Sequence, residues 1–78
     1  MMTKRTCIEY IAGRLVELHQ DPEYKNPKKH CKMLESLENE CKDYCQVGNR
    51  FSDRAFYDMW DRAIDLAEYM ETGRRRLA

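Results

Sequence analysis

The sequence predicts an all-α protein, a single antiparallel three-helix bundle spanning residues 1–78, from three observations. Apolar residues make up 42% of the chain and charged residues 36%, with only three Gly and two Pro, a balance typical of compact helical domains. Apolar residues recur at three- and four-residue steps in three separate segments. The connections between these segments are short and polar, so neighbouring helices are expected to run antiparallel.

The first segment predicts a helix over about residues 6–19. Thr6 and Glu9 have the spacing of a capping box, and Thr3 offers an equally good start. Gly13 lies in mid-helix, where glycine costs up to ~1 kcal/mol relative to Ala, so we expect a neighbouring helix to cross close to it. The apolar face consists of Ile8, Ile11, Leu15 and Leu18.

The second segment predicts a helix over about residues 27–46. Pro22 ends the first helix because proline disfavours helical geometry in the residue before it. Asn26 is a good N-cap, and Pro27 suits the first helical position, where its missing N–H costs nothing. Gly48 is expected to end this helix in left-handed geometry. The apolar stripe consists of Leu34, Leu37, Cys41 and Tyr44.

The third segment, about residues 52–72, has the clearest boundaries. Ser52 is a good N-cap, and Phe51 and Phe56 occupy the two positions of a hydrophobic staple. Gly73 is a good stop, and the basic tail that follows it suits the negative end of the helix dipole.

The third helix also has an apolar arc of about 180°, wider than the roughly 100° that one core-facing surface needs. Two interpretations of this width remain open. In the first, the third helix is central and packs on both other helices, with its acids on the solvent-exposed face. In the second, the side containing Leu66, Met59 and Met70 packs on the other helices, while Tyr57, Ile64 and part of Trp60 stay exposed beside the acids. The two interpretations can hold together, with Trp60 in the core and Tyr57 on the surface.

The four cysteines could in principle bind a metal ion. Cys41 and Cys45 have a spacing at which two thiolates can share a zinc ion, but a closed site needs two more ligands. Cys31 lies about 21 Å from Cys45 along the helix axis, and Cys7 or His19 would have to come from the first helix. Because free cysteine is among the most buried residue types, we expect reduced, buried thiols, no metal and no cofactor.

Enzymatic activity is not expected. His30 and Cys31 are adjacent, so their side chains diverge on a helix and cannot pair as base and nucleophile. The sequence has no phosphate-binding glycine loop and no HExxH or nucleophile-elbow motif.

Nucleic-acid binding is the alternative function. Its candidate residues are basic and lie at the start of the second helix and in the tail: Lys25, Lys28, Lys29, Lys32, Arg74, Arg75 and Arg76. The third helix opposes this function, because six acids and only two bases lie between Asp53 and Glu71. Like charge facing phosphate would repel, and the formal net charge of zero gives no overall steering.

Protein binding is the function that the sequence favours. Aromatic and apolar side chains rimmed by charge are typical of binding hot spots. The candidate residues on the third helix are Tyr57, Trp60, Asp61, Ile64, Asp65 and Glu68. We expect the partner to be another protein with a basic surface, or a second copy of this chain.

The cellular setting is also an expectation. The N-terminus lacks the apolar region of a signal peptide, and no run approaches the ~20 apolar residues that span a bilayer. A cytoplasmic protein without a membrane role is therefore expected. Compact chains of this length without catalytic motifs are common among phage and mobile-element regulators, so an inhibitor of a host complex, acting in the host cytoplasm, is the concrete form favoured.

Overall fold

The computed structural model describes residues 3–47 and 51–73. Within these ranges the chain forms three α-helices, one 3₁₀ turn and no strand, which confirms the predicted all-α three-helix bundle. The elements are α1 (Lys4–Gln20), the 3₁₀ turn (Pro22–Lys25), α2 (Pro27–Cys45) and α3 (Asp53–Thr72).

Side-chain caps fix the start of each helix. Helix α1 begins from Thr3 rather than Thr6, because the Thr3 hydroxyl accepts the Thr6 backbone N–H at 3.1 Å. Asn26 caps α2 and Ser52 caps α3, each accepting a backbone N–H from the first turn. The predicted caps of α2 and α3 are confirmed.

Gly73 ends α3 as predicted. Its φ of 72° is left-handed, a conformation that costs glycine nothing. Its N–H donates to the carbonyl of Tyr69 at 2.7 Å, which satisfies one of the last free carbonyls of the helix. Gly48 lies outside the described residues.

Side-chain pairs between helices show the up-down-up order. The rings of Tyr10 and Tyr44 stack with centroids 3.8 Å apart, and one turn along α1 the guanidinium of Arg14 binds Glu40. Because residue numbers rise along α1 as they fall along α2, these two helices are antiparallel. His19 Nδ1 lies 2.9 Å from a carboxylate oxygen of Glu71, so the C-terminal ends of α1 and α3 lie together.

The hydrophobic core lies where all three helices meet, and α1 is its centre. The backbone of α1 approaches both α2 and α3 closely, whereas α2 and α3 approach each other much less. The interpretation that placed the third helix at the centre is therefore wrong. The buried residues are Cys7, Ile11, Ala12, Leu15, Leu37, Cys41, Cys45, Phe56, Met59, Trp60, Ala63 and Ala67.

Gly13 does not mark a close helix crossing. A Cβ placed there would meet no atom of a neighbouring element within 4 Å, so the prediction of a close approach is wrong. No packing contact explains glycine at this position.

Two side chains assigned to the core lie at its margin. Tyr44 is 37% exposed because its ring stacks on Tyr10 outside the core, and Cys45 is buried in its place. Met70 is 52% exposed near the end of α3, so the expectation that it packs on the other helices is wrong.

Candidate functional site

The six predicted partner-binding residues divide into two groups in the structure. Tyr57 and Ile64 are 40% and 39% exposed, and the three acids beside them are exposed. Trp60 is only 9% exposed and belongs to the core. Of the two placements that the sequence left open for Trp60, the structure therefore shows the one in the core.

The position of Ile64 on α3 explains this division. Residues three or four apart on a helix are neighbours on its surface. On one flank Ile64 neighbours Trp60 and Ala67, which are buried. On the other flank it neighbours Asp61 and Glu68, which face outwards. Ile64 thus lies on the boundary between the core and an acidic surface.

At its N-terminal end, α3 is tied to α2 by polar contacts. Lys42 Nζ lies 3.6 Å from Asp53 and 5.2 Å from the ring centroid of Tyr57. The side-chain amide of Gln46 donates to the backbone carbonyl of Phe51 at 3.1 Å and to the carboxylate of Asp53 at 2.8 Å. We call this group the clamp; its members are Lys42, Gln46, Phe51, Asp53 and Tyr57.

The contacts of the clamp favour the ionised form of Asp53. The hydrogen bond from Gln46, together with the charge of Lys42, lowers the pKa of Asp53 below its ordinary value. The side chains of Lys42 and Asp53 are both accessible to solvent, so their interaction is screened by water and salt. Tyr57 is therefore exposed but already covered by a cation of its own chain.

Farther along the same two helices, a cavity of about 220 Å³ lies between α2 and α3. Its lining comes from every element of the structure, and most of it is apolar. The cavity reaches the surface, because Ile64 and His19 are both exposed and both line it. The lining residues are Leu15, His19, Tyr24, Leu34, Trp60, Ile64 and Ala67.

The two polar side chains in this lining are held by neighbours. His19 Nδ1 lies 2.9 and 3.1 Å from the two carboxylate oxygens of Glu71. The ring of Tyr24 packs against that of His30 with centroids 4.2 Å apart, and its hydroxyl lies 3.4 Å from His30 Nε2. Burial raises the pKa of Tyr24, so its hydroxyl stays neutral. These contacts hold the rings of His19 and Tyr24 in place in the lining of the cavity.

Acids of α3 and α2 are helical neighbours of residues that line the cavity. On α3, Asp61 and Glu68 are the outward neighbours of Ile64, and Asp65 follows it. On α2, Glu38 lies one turn after Leu34, on the same side of that helix. An apolar opening bordered by negative charge suits a ligand that is both apolar and basic.

The cysteines form an inert cluster and one accessible thiol. Cys7, Cys41 and Cys45 are buried and free, whereas Cys31 is exposed. Burial raises the pKa of Cys41 and that of Cys45 to about 12, and in Cys45 the neighbouring Cys7 adds to the effect. Within residues 3–47 and 51–73, no three Cys, His, Asp or Glu side chains are arranged to hold a metal ion.

A second groove, of about 340 Å³, lies between α1 and α2 and is more polar. The guanidinium of Arg14 crosses this interface, donating to Glu40 from Nε at 2.7 Å and from Nη2 at 3.2 Å, and to Glu17 from Nη1 at 2.8 Å. The hydrogen bond from Arg14 lowers the pKa of Glu40. These polar groups satisfy each other, which indicates a structural role for this interface.

The four lysines of the nucleic-acid alternative lie at the opposite end of α2 from the clamp. Lys25 ends the 3₁₀ turn, and Lys28, Lys29 and Lys32 lie in the first turns of α2, all exposed. Lys29 is paired with Glu23 at 3.2 Å. Residues Arg74, Arg75 and Arg76 lie outside the described part of the chain.

The described residues form a small helical bundle with an apolar cavity that opens at Ile64. Among known proteins, no family, no curated sequence and no solved structure significantly matches this chain. None of the helices in residues 3–47 and 51–73 has the length and apolar character that crossing a bilayer requires.

Sequence reasoning missed the cavity wall and the clamp. Leu15 and Leu34 were assigned correctly to the core side of their helices, but nothing in their spacing shows that a cavity lies beside them. Tyr24 lies in a short polar connection that carries no periodic signal. Lys42 and Asp53 could have been paired only from knowledge of how α2 meets α3.

Proposed function

We propose that this chain is a small protein-binding module whose partner surface is the edge between α2 and α3. This surface, the binding edge, comprises Tyr57, Asp61, Ile64, Asp65 and Glu68, with Trp60 behind it as a wall of the cavity. The observation that carries the proposal is the apolar cavity that opens at Ile64, beside the exposed acids of α3. Protein interfaces typically combine an apolar anchor site with a polar rim.

The ionisation of the carboxylates supports binding rather than catalysis. A general acid that works near neutral pH needs a raised pKa. Among the described carboxylates with a shifted pKa, Glu40 and Asp53, the shift is downwards and comes from hydrogen bonds and ion pairs within the fold. These groups stabilise the bundle instead of exchanging protons with a substrate.

A basic partner fits the binding edge better than a second copy of the chain does. A two-fold contact brings the same patch of both copies together. It would therefore place Asp61 and Asp65 of one copy opposite the same acids of the other, and like charges facing each other across an interface cost several kcal/mol. A regulator or inhibitor that covers a basic surface of a host protein is the biological form that fits this charge pattern.

The test is affinity capture with charge-reversed variants. Tagged wild-type chain, an edge variant (Asp61→Lys with Asp65→Lys) and a control (Glu9→Lys with Asp43→Lys) are used on the same lysate. The control makes the same charge change at exposed acids outside the edge. We expect one captured protein to be lost with the edge variant and retained with the control, by mass spectrometry. Equal capture by all three chains would refute the proposal.

Salt dependence separates this function from nucleic-acid binding. Phosphate contacts release counterions, so their affinity falls steeply with salt. We expect a captured protein partner to stay bound between 50 and 200 mM salt, whereas duplex binding would fall by orders of magnitude over the same range. Binding of a labelled duplex that is lost in a Lys28→Glu, Lys32→Glu variant would favour the alternative.

A further inference from the structure

We infer that the cavity between α2 and α3 receives one apolar side chain, aromatic or leucine-like, from a basic segment of the partner. This inference rests on the proposed function and identifies the feature of the partner that the binding edge recognises. It follows from three properties of the cavity: its volume, its lining and the charges at its mouth.

The volume matches a single side chain. An apolar protein cavity of about 150 Å³ is large enough to bind benzene, whereas sites for drug-sized ligands have volumes of about 300–1,000 Å³. The cavity at Ile64 has a volume of about 220 Å³. It therefore accepts one aromatic ring or one branched aliphatic group, and it is too small for a typical metabolite.

The lining selects an apolar group. Five of the seven lining residues are apolar side chains: Leu15, Leu34, Trp60, Ile64 and Ala67. The other two, His19 and Tyr24, make their polar contacts with Glu71 and His30. A polar ligand group would lose its hydration without regaining enough hydrogen bonds, which is unfavourable, whereas burial of an apolar side chain is favourable.

The charges at the mouth set the context of that side chain. Asp61 and Glu68 are exposed neighbours of Ile64 on the outer side of α3, and Glu38 lies one turn after the lining residue Leu34 on α2. Lys or Arg residues close to the anchoring side chain would meet these acids as it enters. The partner segment is therefore basic, with a single large apolar residue among its charges.

A peptide series of fixed composition tests this inference. The probes are nine-residue peptides, Lys-Lys-Ala-Ala-X-Ala-Ala-Lys-Lys, in which X is Phe, Leu or Ala. Trp60 is the single tryptophan of the chain and lines the cavity, so its emission reports occupancy directly. Cys31 is exposed one turn before Leu34, so its rate of alkylation gives a second, independent readout near the mouth.

We expect the Phe and Leu peptides to bind at least about tenfold more tightly than the Ala peptide, because an anchoring side chain is buried only in those two. They should shift the emission of Trp60 and slow alkylation of Cys31. Equal affinity of the three peptides for the wild-type chain would overturn the inference.

Variants distinguish failure of the inference from failure of the proposed function. Leu34→Phe fills the cavity and should abolish the preference for Phe over Ala, while Leu66→Phe makes the same change on the opposite flank of α3 and should preserve it. Ile64→Phe, at an exposed position of the mouth, repeats the test if Leu34→Phe does not fold. The inference alone fails if both filling variants retain the preference.

The edge variant tests the proposed function with the same probes. Asp61→Lys with Asp65→Lys should weaken binding of all three peptides, including the Ala peptide, because it removes the charges that attract lysine. If this variant binds every peptide as the wild-type chain does, the binding edge itself is wrong, whatever the filling variants show.

Discussion

The two ends of the α2–α3 contact present two apolar side chains of almost equal exposure in opposite physical situations. At the clamped end, Tyr57 is 40% exposed, but Lys42 lies over its ring and also pairs with Asp53. At the open end, Ile64 is 39% exposed and borders a cavity. Fractional exposure alone would rank the two side chains as equal candidates for partner binding.

The difference comes from where α2 finds its contacts. Next to the short connection to α3, Lys42 and Gln46 bind residues at the start of α3. At its other end α2 packs with the 3₁₀ turn, where Tyr24 stacks on His30. The two ends of α2 thus make different contacts, with α3 at one end and with the 3₁₀ turn at the other.

The largest expected effect comes from replacing one apolar side chain with alanine at each end of the α2–α3 contact. Phe56 is fully buried next to Tyr57, so Phe56→Ala should lower the free energy of unfolding by about 3–5 kcal/mol. Ile64→Ala should lower it by less than about 1 kcal/mol, because Ile64 is partly exposed and already borders a void. Urea unfolding followed by circular dichroism measures both. Equal losses would show that the two ends are packed alike.

Thiol reactivity compares the same two ends without mutation. Cys31, near the open end, should react at once with a thiol reagent in the folded protein. Cys41 and Cys45 are buried, and a pKa of about 12 in place of 9.0 lowers the thiolate fraction about a thousandfold. We expect one thiol of the four to titrate in native protein and all four in denaturant. Rapid native reaction of a second thiol would contradict this packing.

A smaller effect is expected at the α1–α2 interface, where Arg14 and Glu40 form an ion pair. Because Arg14 lowers the pKa of Glu40 below its ordinary 4.5, the pair's contribution is complete above that pH. It is lost as the pH falls through the lowered pKa of the folded state. Glu40 is about half exposed, so Glu40→Gln should cost only about 1 kcal/mol at pH 7, with the difference shrinking as the pH falls below 4.5.

The control for this prediction is Glu35→Gln, which changes an exposed carboxylate on the same helix away from Arg14. Urea unfolding of the three proteins at pH 7, 4.5 and 3 measures the effect. A Glu40→Gln penalty that stayed constant from pH 7 to 3 would show that the loss comes from packing rather than from the ion pair.

The smallest expected effect comes from loosening the clamp. Lys42→Gln removes the cation over Tyr57 and the partner of Asp53, so it should raise the mobility of the Tyr57 ring with only a small loss of stability. Lys32→Gln, an exposed lysine at the other end of α2, serves as the control. Ring resonances of Tyr57 in NMR spectra report the change. If Tyr57 responds equally to both substitutions, Lys42 does not hold it.

The parts of the fold that depend on neighbours in sequence could be predicted. The caps Asn26 and Ser52 and the stop at Gly73 act through bonds to the next few residues, so the helix boundaries were correct to within two residues. The division between a buried Trp60 and an exposed Ile64 depends on which helices α3 meets. A helical wheel places both in one apolar arc and cannot show that α1, rather than α3, is central.

The site was predictable only in part for the same reason. The acids were placed on the surface correctly, because an acidic stripe on an amphipathic helix has no other stable location; Ile64 was placed there in one of two open interpretations. The cavity required Leu15, Tyr24 and Leu34 from three separate elements, whose meeting point no spacing in the sequence records. Cys45 replaced Tyr44 in the core because the ring of Tyr44 stacks on that of Tyr10 instead.

Gly13 is a position at which a substitution should increase the free energy of unfolding of this small protein. A methyl group there meets no neighbouring atom within 4 Å, and alanine is better than glycine in a helix by about 1 kcal/mol. Gly13→Ala should therefore raise the unfolding midpoint by several degrees without touching the binding edge. The substitution also supplies a sturdier host for disruptive variants such as Leu34→Phe, so that a loss of binding can be separated from a loss of fold.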